Sequence, residues 1–524
     1  MEFIQSSVPW LSIVCIIAPL VAAFVTLLFP KQNENAIKMW ANGTSFLIFL
    51  GTLFLWLGAG YDSSNPAYQL GEIYQWIPVL NVKYRVAVDG LSLPLVVLTG
   101  LLTFISIFYS SKVIDHRVKE YFFLFQLLAV GMYGVFIALD YFLFYIFWEI
   151  GLVPMFFLIG IWGGKRREYA AIKFFLYTLT GSVLMLLSML TIFWTTGSFD
   201  LVALPELIKT SDLLGTNGNF VIKSLAFWGI FIAFAIKVPL FPFHAWLPDA
   251  HVQAPTAGSV ILAGILLKLG GYGIIRILLP IFPDTFNAYW IPIAFLAVTS
   301  IVYGALVAMA QWDLKKLIAY TSVNHMGYAM LGIAAAAATL DKGDALLEAR
   351  AIALNGAMFQ FIAHGLITGA LFLLVGVIYE RAHTRDLKQF GGLGAVLPVF
   401  YGFMAITTFA SLGLPGLAGF VSEFMAFRGA FGVGLGADLP ILTIFTFISL
   451  LGIVFTAALF LWKVIQGIFL GKLNEKWSDL PDMYGWEAFT LMPLVILFVL
   501  FGVYPAPILD LINGGVLKML NLMS

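Results

Sequence analysis

The chain has 524 residues, 61% hydrophobic, 16% aromatic and only 11% charged, with 28 basic and 28 acidic side chains and no net charge. Soluble domains are about a quarter charged, so this composition excludes a water-soluble enzyme and a disordered chain, and indicates a polytopic helical membrane protein. The charge balance gives no footprint for nucleic acid, and the one cysteine, Cys15, cannot make an internal disulfide, a four-cysteine iron–sulfur site or a CxxCH haem attachment.

The first apolar run, Pro9 to Phe29, has no basic region before it and is followed at once by another, so it reads as a retained helix rather than a signal peptide. Further runs lie at about 41–60, 90–110, 120–139, 141–162, 174–196, 224–246, 255–279, 287–309, 313–336, 353–379, 393–432, 440–470 and 485–512. That predicts an all-α protein of about 14 membrane-spanning helices. The strand alternation of a membrane β-barrel is absent, and the longest polar loops are about 60–88 and 197–223.

Lys and Arg are in excess in the odd-numbered loops, which hold Lys31, Lys38, Lys112, Arg117, Lys119, Lys165, Arg166, Arg167, Lys173, Lys315, Lys316, Arg381, Arg385, Lys388, Lys472 and Lys476. Those loops are therefore expected in the cytoplasm or its equivalent, with both termini on the other side.

Two spans are interrupted, at Ala235-Ile-Lys-Val-Pro-Leu-Phe-Pro-Phe-His244 and at Ser411-Leu-Gly-Leu-Pro-Gly-Leu-Ala-Gly-Phe-Val-Ser-Glu423. Proline removes a helical hydrogen bond, and backbone left unpaired in a bilayer must be buried in protein or line a wet cavity. The breaks lie about five spans apart, an odd offset that suggests two inverted five-helix repeats. The alternative is a pair of ordinary proline kinks.

Six apolar segments carry an ionisable residue: Glu149, Lys237, Lys268, His325, His364 and Glu423. Each charge at mid-bilayer costs at least about 2.5–3.5 kcal/mol, so the set is expected to pair, as Glu149 with Lys237, or to face water. Titratable groups at similar depth can relay protons without a cofactor; the competing reading is that some only fasten helices together. Arg276, Lys173 and Lys223 lie near span ends and are expected to snorkel to the interface. His116 and His383 fall in loops. His244 and His251 flank the first break and either line a half-channel or cap the turn. Asp140, at a span junction, reads as a helix cap. No phosphate-binding glycine loop and no HExxH or CxxC metal spacing is present.

The segment Lys237-Val-Pro-Leu-Phe-Pro-Phe-His-Ala-Trp-Leu-Pro-Asp-Ala-His251, with Gln253-Ala-Pro-Thr-Ala-Gly-Ser-Val260 and Ile265-Leu-Leu-Lys-Leu-Gly-Gly-Tyr-Gly273, resembles the signature of the antiporter-like membrane subunits of respiratory complex I, the NADH:quinone oxidoreductase. Val88-Asp-Gly-Leu-Ser92, Trp148-Glu149, Lys315-Lys-Leu-Ile-Ala-Tyr-Thr-Ser-Val-Asn-His-Met-Gly327 and Gly413-Leu-Pro-Gly-Leu-Ala-Gly-Phe420 resemble it too, so the likeness runs from about residue 85 to 470.

The resemblance implies helices 1–3 over residues 1–118, a first inverted repeat over 119–280, a second over 281–470 and a final helix over 471–524. It implies a proton path in which Glu149 and Lys237 form a coupling ion pair, Lys268 is the central lysine, His325 and His364 continue the axis, and Glu423 exchanges with the outside. Glu at this last position follows the M-type pattern. The stretch Asp341-Lys-Gly-Asp-Ala-Leu-Leu-Glu-Ala-Arg350 departs from the compact loop of that pattern.

The function expected on these grounds is a proton-translocating subunit of a complex I-type oxidoreductase, in a bacterial plasma membrane or a thylakoid. The chain itself would carry no cofactor; iron–sulfur clusters and flavin would lie in partner subunits, and quinone would bind elsewhere. The expected partners are other membrane-arm subunits, sister antiporter-like chains and the lipid bilayer. A subunit of a cation/proton antiporter without redox coupling is the second reading, which Glu423 argues against. A haem-carrying membrane subunit is the third, opposed by the sparse histidines.

Overall fold

Helices account for nearly every apolar run, because in a bilayer only a helix satisfies its own backbone. The computed structural model describes residues 3–216, 218–340 and 345–523. In chain order the helices of eight residues or more are α1 (Ser12–Leu28), α2 (Glu34–Leu57), α3 (Leu93–Val113), α4 (Val118–Ile137), α5 (Tyr141–Trp162), α6 (Arg167–Thr196), α7 (Phe220–Lys237), α8 (Trp246–Gln253) and α9 (Thr256–Ile281). They continue as α10 (Trp290–Ala310), α11 (Leu314–Ala337), α12 (Leu347–Ala382), α13 (Pro398–Ser411), α14 (Ala418–Gly436), α15 (Pro440–Phe469), α16 (Gly485–Val503) and α17 (Ala506–Met523).

Among the described residues, 11 helices are long and apolar enough to cross a membrane. The shortfall from the expected fourteen has local causes. Helices α1 and α13 are short, and the run expected over 393–432 is cut in two between Ser411 and Ala418. Helix α11 has the length but carries Lys315, Lys316, Asn324 and His325. Of the stretch 341–350, residues 341–344 lie outside the described residues, and α12 begins at Leu347.

The chain packs as two compact units. The first comprises Met1–Val238, Ile265–Tyr289 and Asp510–Ser524; the second comprises Pro239–Gly264 and Trp290–Leu509.

In the first unit the polar stretch 60–88 is not an irregular loop. It forms a hairpin of β2 (Tyr68–Ile77) and β3 (Val82–Val88), with β1 (Phe3–Gln5) parallel to β2. The turn closes on Asn81, which takes the left-handed conformation at φ 51° that asparagine tolerates. Helices α4 and α5 meet at Gly131 and Gly151: a Cβ on Gly131 would lie 2.5 Å from the Gly151 nitrogen, so only small residues allow the approach. Asp140 caps α5 as expected, accepting from the Phe142 and Leu143 amides.

Arg276 overturns its expectation. Instead of snorkelling it is 3% exposed. Its guanidinium donates to Asp89 Oδ1 at 2.5 Å, to Tyr68 Oη at 3.1 Å and to Tyr272 Oη at 2.9 Å. A planar five-donor fork matches three fixed acceptors, which a flexible ammonium would not. Asp89 lies in the turn before α3, where burial alone would raise its pKa; Arg276 and Lys518 hold it below the ordinary carboxylate value. Lys223 is likewise buried, donating to the Gly215 carbonyl at 3.3 Å and lying 3.7 Å from Asp284.

In the second unit α12 and α14 interlock through small residues. A Cβ on Gly429 would meet the Ala353 nitrogen at 2.2 Å, and one on Gly356 the Ala426 nitrogen at 2.3 Å. Near one end of α12, Arg381 makes a two-armed ion pair with Glu487 at 2.8 and 2.7 Å.

Replacing Arg276 with Met should leave the Asp89 carboxylate buried without its hydrogen-bonded partner, with only the field of Lys518 to offset it, at a cost of about 3–5 kcal/mol. The expected result on native gels is loss of mature complex, partly restored in Arg276→Met/Asp89→Asn. Equal assembly of the single variant and wild type would refute this account.

Candidate functional site

Two spans, α9 and α12, have an apolar stretch of 18 residues that is wholly buried within the protein. Each carries one of the six candidate residues near its centre, Lys268 on α9 and His364 on α12. A charged or polar side chain there has only protein or bound water to solvate it.

In the first unit Lys237 is the last residue of α7, where proline breaks the helix, and it is 1% exposed. Its ammonium lies 5.0 Å from the centre of the Trp148 ring and 5.8 Å from that of Phe174, on π faces that attract a cation. Trp148 is itself fixed, donating from Nε1 to Ser182 Oγ at 3.1 Å and packing on Phe144 and Phe234. Glu149 follows Trp148 on α5; it acts electrostatically on Lys237, and its Oε1 is buried without a hydrogen-bond partner among the described residues. Lys268 is 0% exposed on α9, two residues before Gly270, whose missing side chain lets α9 approach α7. A Cβ on Gly270 would lie 3.0 Å from Lys237 Cβ.

In the second unit the structure brings His325, His364 and Glu423 together. His325 Nδ1 lies 2.7 Å from Glu423 Oε1, and its Nε2 lies 3.2 Å from Ser411 Oγ. An ionised Glu423 only accepts, so Nδ1 carries a proton; Nε2 then accepts from the Ser411 hydroxyl in the neutral ring and donates to it in the imidazolium. The His364 ring is centred 5.8 Å from that of His325. Gln360 ties the group to two helices: its amide donates to the His325 carbonyl at 3.2 Å, and its oxygen accepts from the Ser422 hydroxyl. The break after Ser411 turns on Gly413 and Gly416, both at positive φ, and brings Gly413 against Glu423 Oε2. His325, Gln360, His364, Thr368, Ser411 and Glu423 are among the residues lining one small cavity, with room for about one water.

Several of these partners were missed in the sequence. Ser411 lay within the break motif. Gln360 and Thr368 stand four residues either side of His364, on one helical face, a spacing that could have found them.

Of the histidines left open, His251 is 0% exposed and stacks on Phe372 at 4.4 Å. His244 packs beside Tyr303 at 5.2 Å. His116 and His383 are exposed, as expected. Lys315, counted among the loop charges, is instead buried at the start of α11, and its ammonium donates to the Ala254 carbonyl at 2.6 Å. Arg385 donates to the Val252 carbonyl at 2.9 Å. Two basic side chains thus satisfy carbonyls at the end of α8.

Residues 138–452 match the family described as NADH:quinone oxidoreductase/Mrp antiporter, TM. NADH-quinone oxidoreductase subunit M of Rickettsia conorii is 41% identical over 513 residues, covering 97% of this chain and 98% of that one. In the respiratory complex I structure from Thermus thermophilus, one chain superposes with a TM-score of 0.80 at 29% identity, covering 98% of this chain and 99% of that chain. A chain of the Mrp complex from Dietzia sp. shares the fold, with a TM-score of 0.77 at 21% identity, covering 97% of this chain and 52% of that one. The chain belongs to this family of multi-pass membrane subunits, as an M-type antiporter-like subunit of complex I.

A double-mutant cycle between His325→Asn and Glu423→Gln should show a coupling of about 1.5–3 kcal/mol in the thermal stability of the assembled complex. Additive losses would mean that the two side chains do not act as a hydrogen-bonded pair.

Proposed function

We propose that the chain translocates protons as a membrane subunit of a complex I-type quinone oxidoreductase, using Glu149, Lys237, Lys268, His325, His364 and Glu423. The observation that carries this reading is the hydrogen-bonded set Ser411–His325–Glu423, with His364 beside it, on the wall of a water-sized cavity. A histidine between a hydroxyl and a carboxylate can take a proton at one nitrogen and release one at the other.

Lys237 supports the same reading. Its ammonium rests on aromatic faces and on the field of Glu149. Buried lysine loses its proton readily once a compensating charge weakens. Displacing Glu149 would therefore lower the proton affinity of Lys237, and Lys268 would serve as the central relay. In this reading Glu423 exchanges the proton with the outside.

The redox chemistry belongs, on this proposal, to partner subunits. They would hold the flavin, iron–sulfur clusters and quinone, while sister antiporter-like chains adjoin this one in the membrane arm. The two inverted repeats over 119–280 and 281–470, and termini on the non-cytoplasmic side, are part of the same reading. The second reading, a cation/proton antiporter subunit without redox coupling, draws on the fold shared with the Mrp complex.

The test uses membranes bearing Lys237→Ala and, separately, Glu423→Gln, with assembly checked first. Quinone reductase activity and proton pumping should both fall about tenfold or more. Wild-type rates in both variants would make these residues helix fasteners. Cation-dependent proton exchange with no electron donor or quinone present would favour the second reading.

A further inference from the structure

At one end of the second unit, two lysines share a single indole. Lys463 Nζ lies 3.9 Å from the centre of the Trp312 ring, and Lys388 Nζ lies 4.8 Å from it. Trp312 stands between the end of α10 and the start of α11, Lys388 follows α12, and Lys463 lies in the last turns of α15. All three therefore sit where spans end.

Two ammonium groups over one ring repel each other, and the indole compensates them only in part. The nearby carboxylates are engaged elsewhere. Asp313 pairs with Arg385 at 3.4 Å and caps α11 through the Lys316 amide; Asp386 caps the turn that carries Lys388. Among the described residues, no ion pair includes Lys388 or Lys463. Lys463 is 5% exposed, with its ammonium directed by a bond to the Gln311 carbonyl at 2.8 Å. A second pair adjoins the first: Lys476 lies 4.4 Å over Trp477, and Trp477 donates to the carbonyl of Gln389, next to Lys388, at 2.7 Å. Trp462, 53% exposed, continues the patch along α15.

Basic side chains with tryptophan at span ends have the chemistry of an interface that meets lipid headgroups. We propose that Lys388 and Lys463, around Trp312, bind the phosphodiester headgroup of an anionic phospholipid. The phosphate supplies the negative charge that the two ammonium groups lack. The exposed face of Trp462 meets the adjoining acyl chain.

The whole complex, in nanodiscs of phosphatidylcholine, would be given phosphatidylglycerol carrying a photoactivatable group near its headgroup. Cross-linked peptides should map to residues 385–390 or 460–465, several-fold above a matched phosphatidylcholine probe. Lys388→Gln, at an exposed side chain that the fold does not need, should reduce labelling about fivefold, and Lys463→Arg should retain it. Equal labelling by both probes, or labelling unchanged in Lys388→Gln, overturns the proposal. So does an unlabelled patch in the wild-type complex, the result if a neighbouring subunit covers it. Displacement of the probe by millimolar inorganic phosphate would show a free-anion site and also overturn it.

Discussion

An ionised side chain inside a bilayer must be solvated by protein, and most of this architecture follows from that requirement. Arg276 shows the rigid solution: a guanidinium fully committed to one carboxylate and two tyrosines. Such a charge is held in one protonation state and fastens the turn at Asp89 to α9. Lys315 and Arg385 show another, in which basic side chains cap the open carbonyls at the end of α8. These residues maintain interrupted backbone inside a membrane protein, where an unpaired carbonyl would otherwise cost several kcal/mol, of order a lost hydrogen bond in hydrocarbon.

The breaks and the small residues serve the same end. Proline ends α7 at Lys237, which places the ammonium at a helix terminus rather than midway along a continuous ladder. Gly413 and Gly416 supply the positive φ values that fold the second break against Glu423. Gly356 and Gly429 let α12 and α14 approach backbone to backbone, so that Gln360 on one helix reaches Ser422 on the other. Close packing and polar satisfaction are therefore one design: side chains of this length bond only if the helices come this near.

Much of this was legible in the sequence, and the reason is physical. Apolar runs and prolines inside them are strong local signals, and both breaks and all six ionisable positions could be picked out without knowing their neighbours. Partner identity is a tertiary property, which is why Arg276 looked like a snorkelling side chain and Lys315 like a loop charge. Position along a span does not reveal an acceptor brought in from a distant turn, such as Asp89. The β2–β3 hairpin was missed because its polar composition resembled a loop and its turn residue, Asn81, is an isolated cue. Pairing of His325 with Glu423 could not be read either, since 98 residues separate them.

The two units compensate their titratable groups by different chemistry, and the difference bears on what each can do. Lys237 rests on ring faces and on the field of Glu149, interactions that vary smoothly with distance and have little directional demand. A small displacement of the carboxylate changes the stability of the ammonium without breaking a hydrogen bond. His325 is held by two directional bonds of 2.7 and 3.2 Å, whose donor and acceptor roles must be reassigned when a proton moves. The first arrangement suits a group whose proton affinity responds to a remote charge, and the second suits a group that hands a proton between fixed partners. On the function proposed above, the first would answer to a disturbance of charge and the second would pass a proton on.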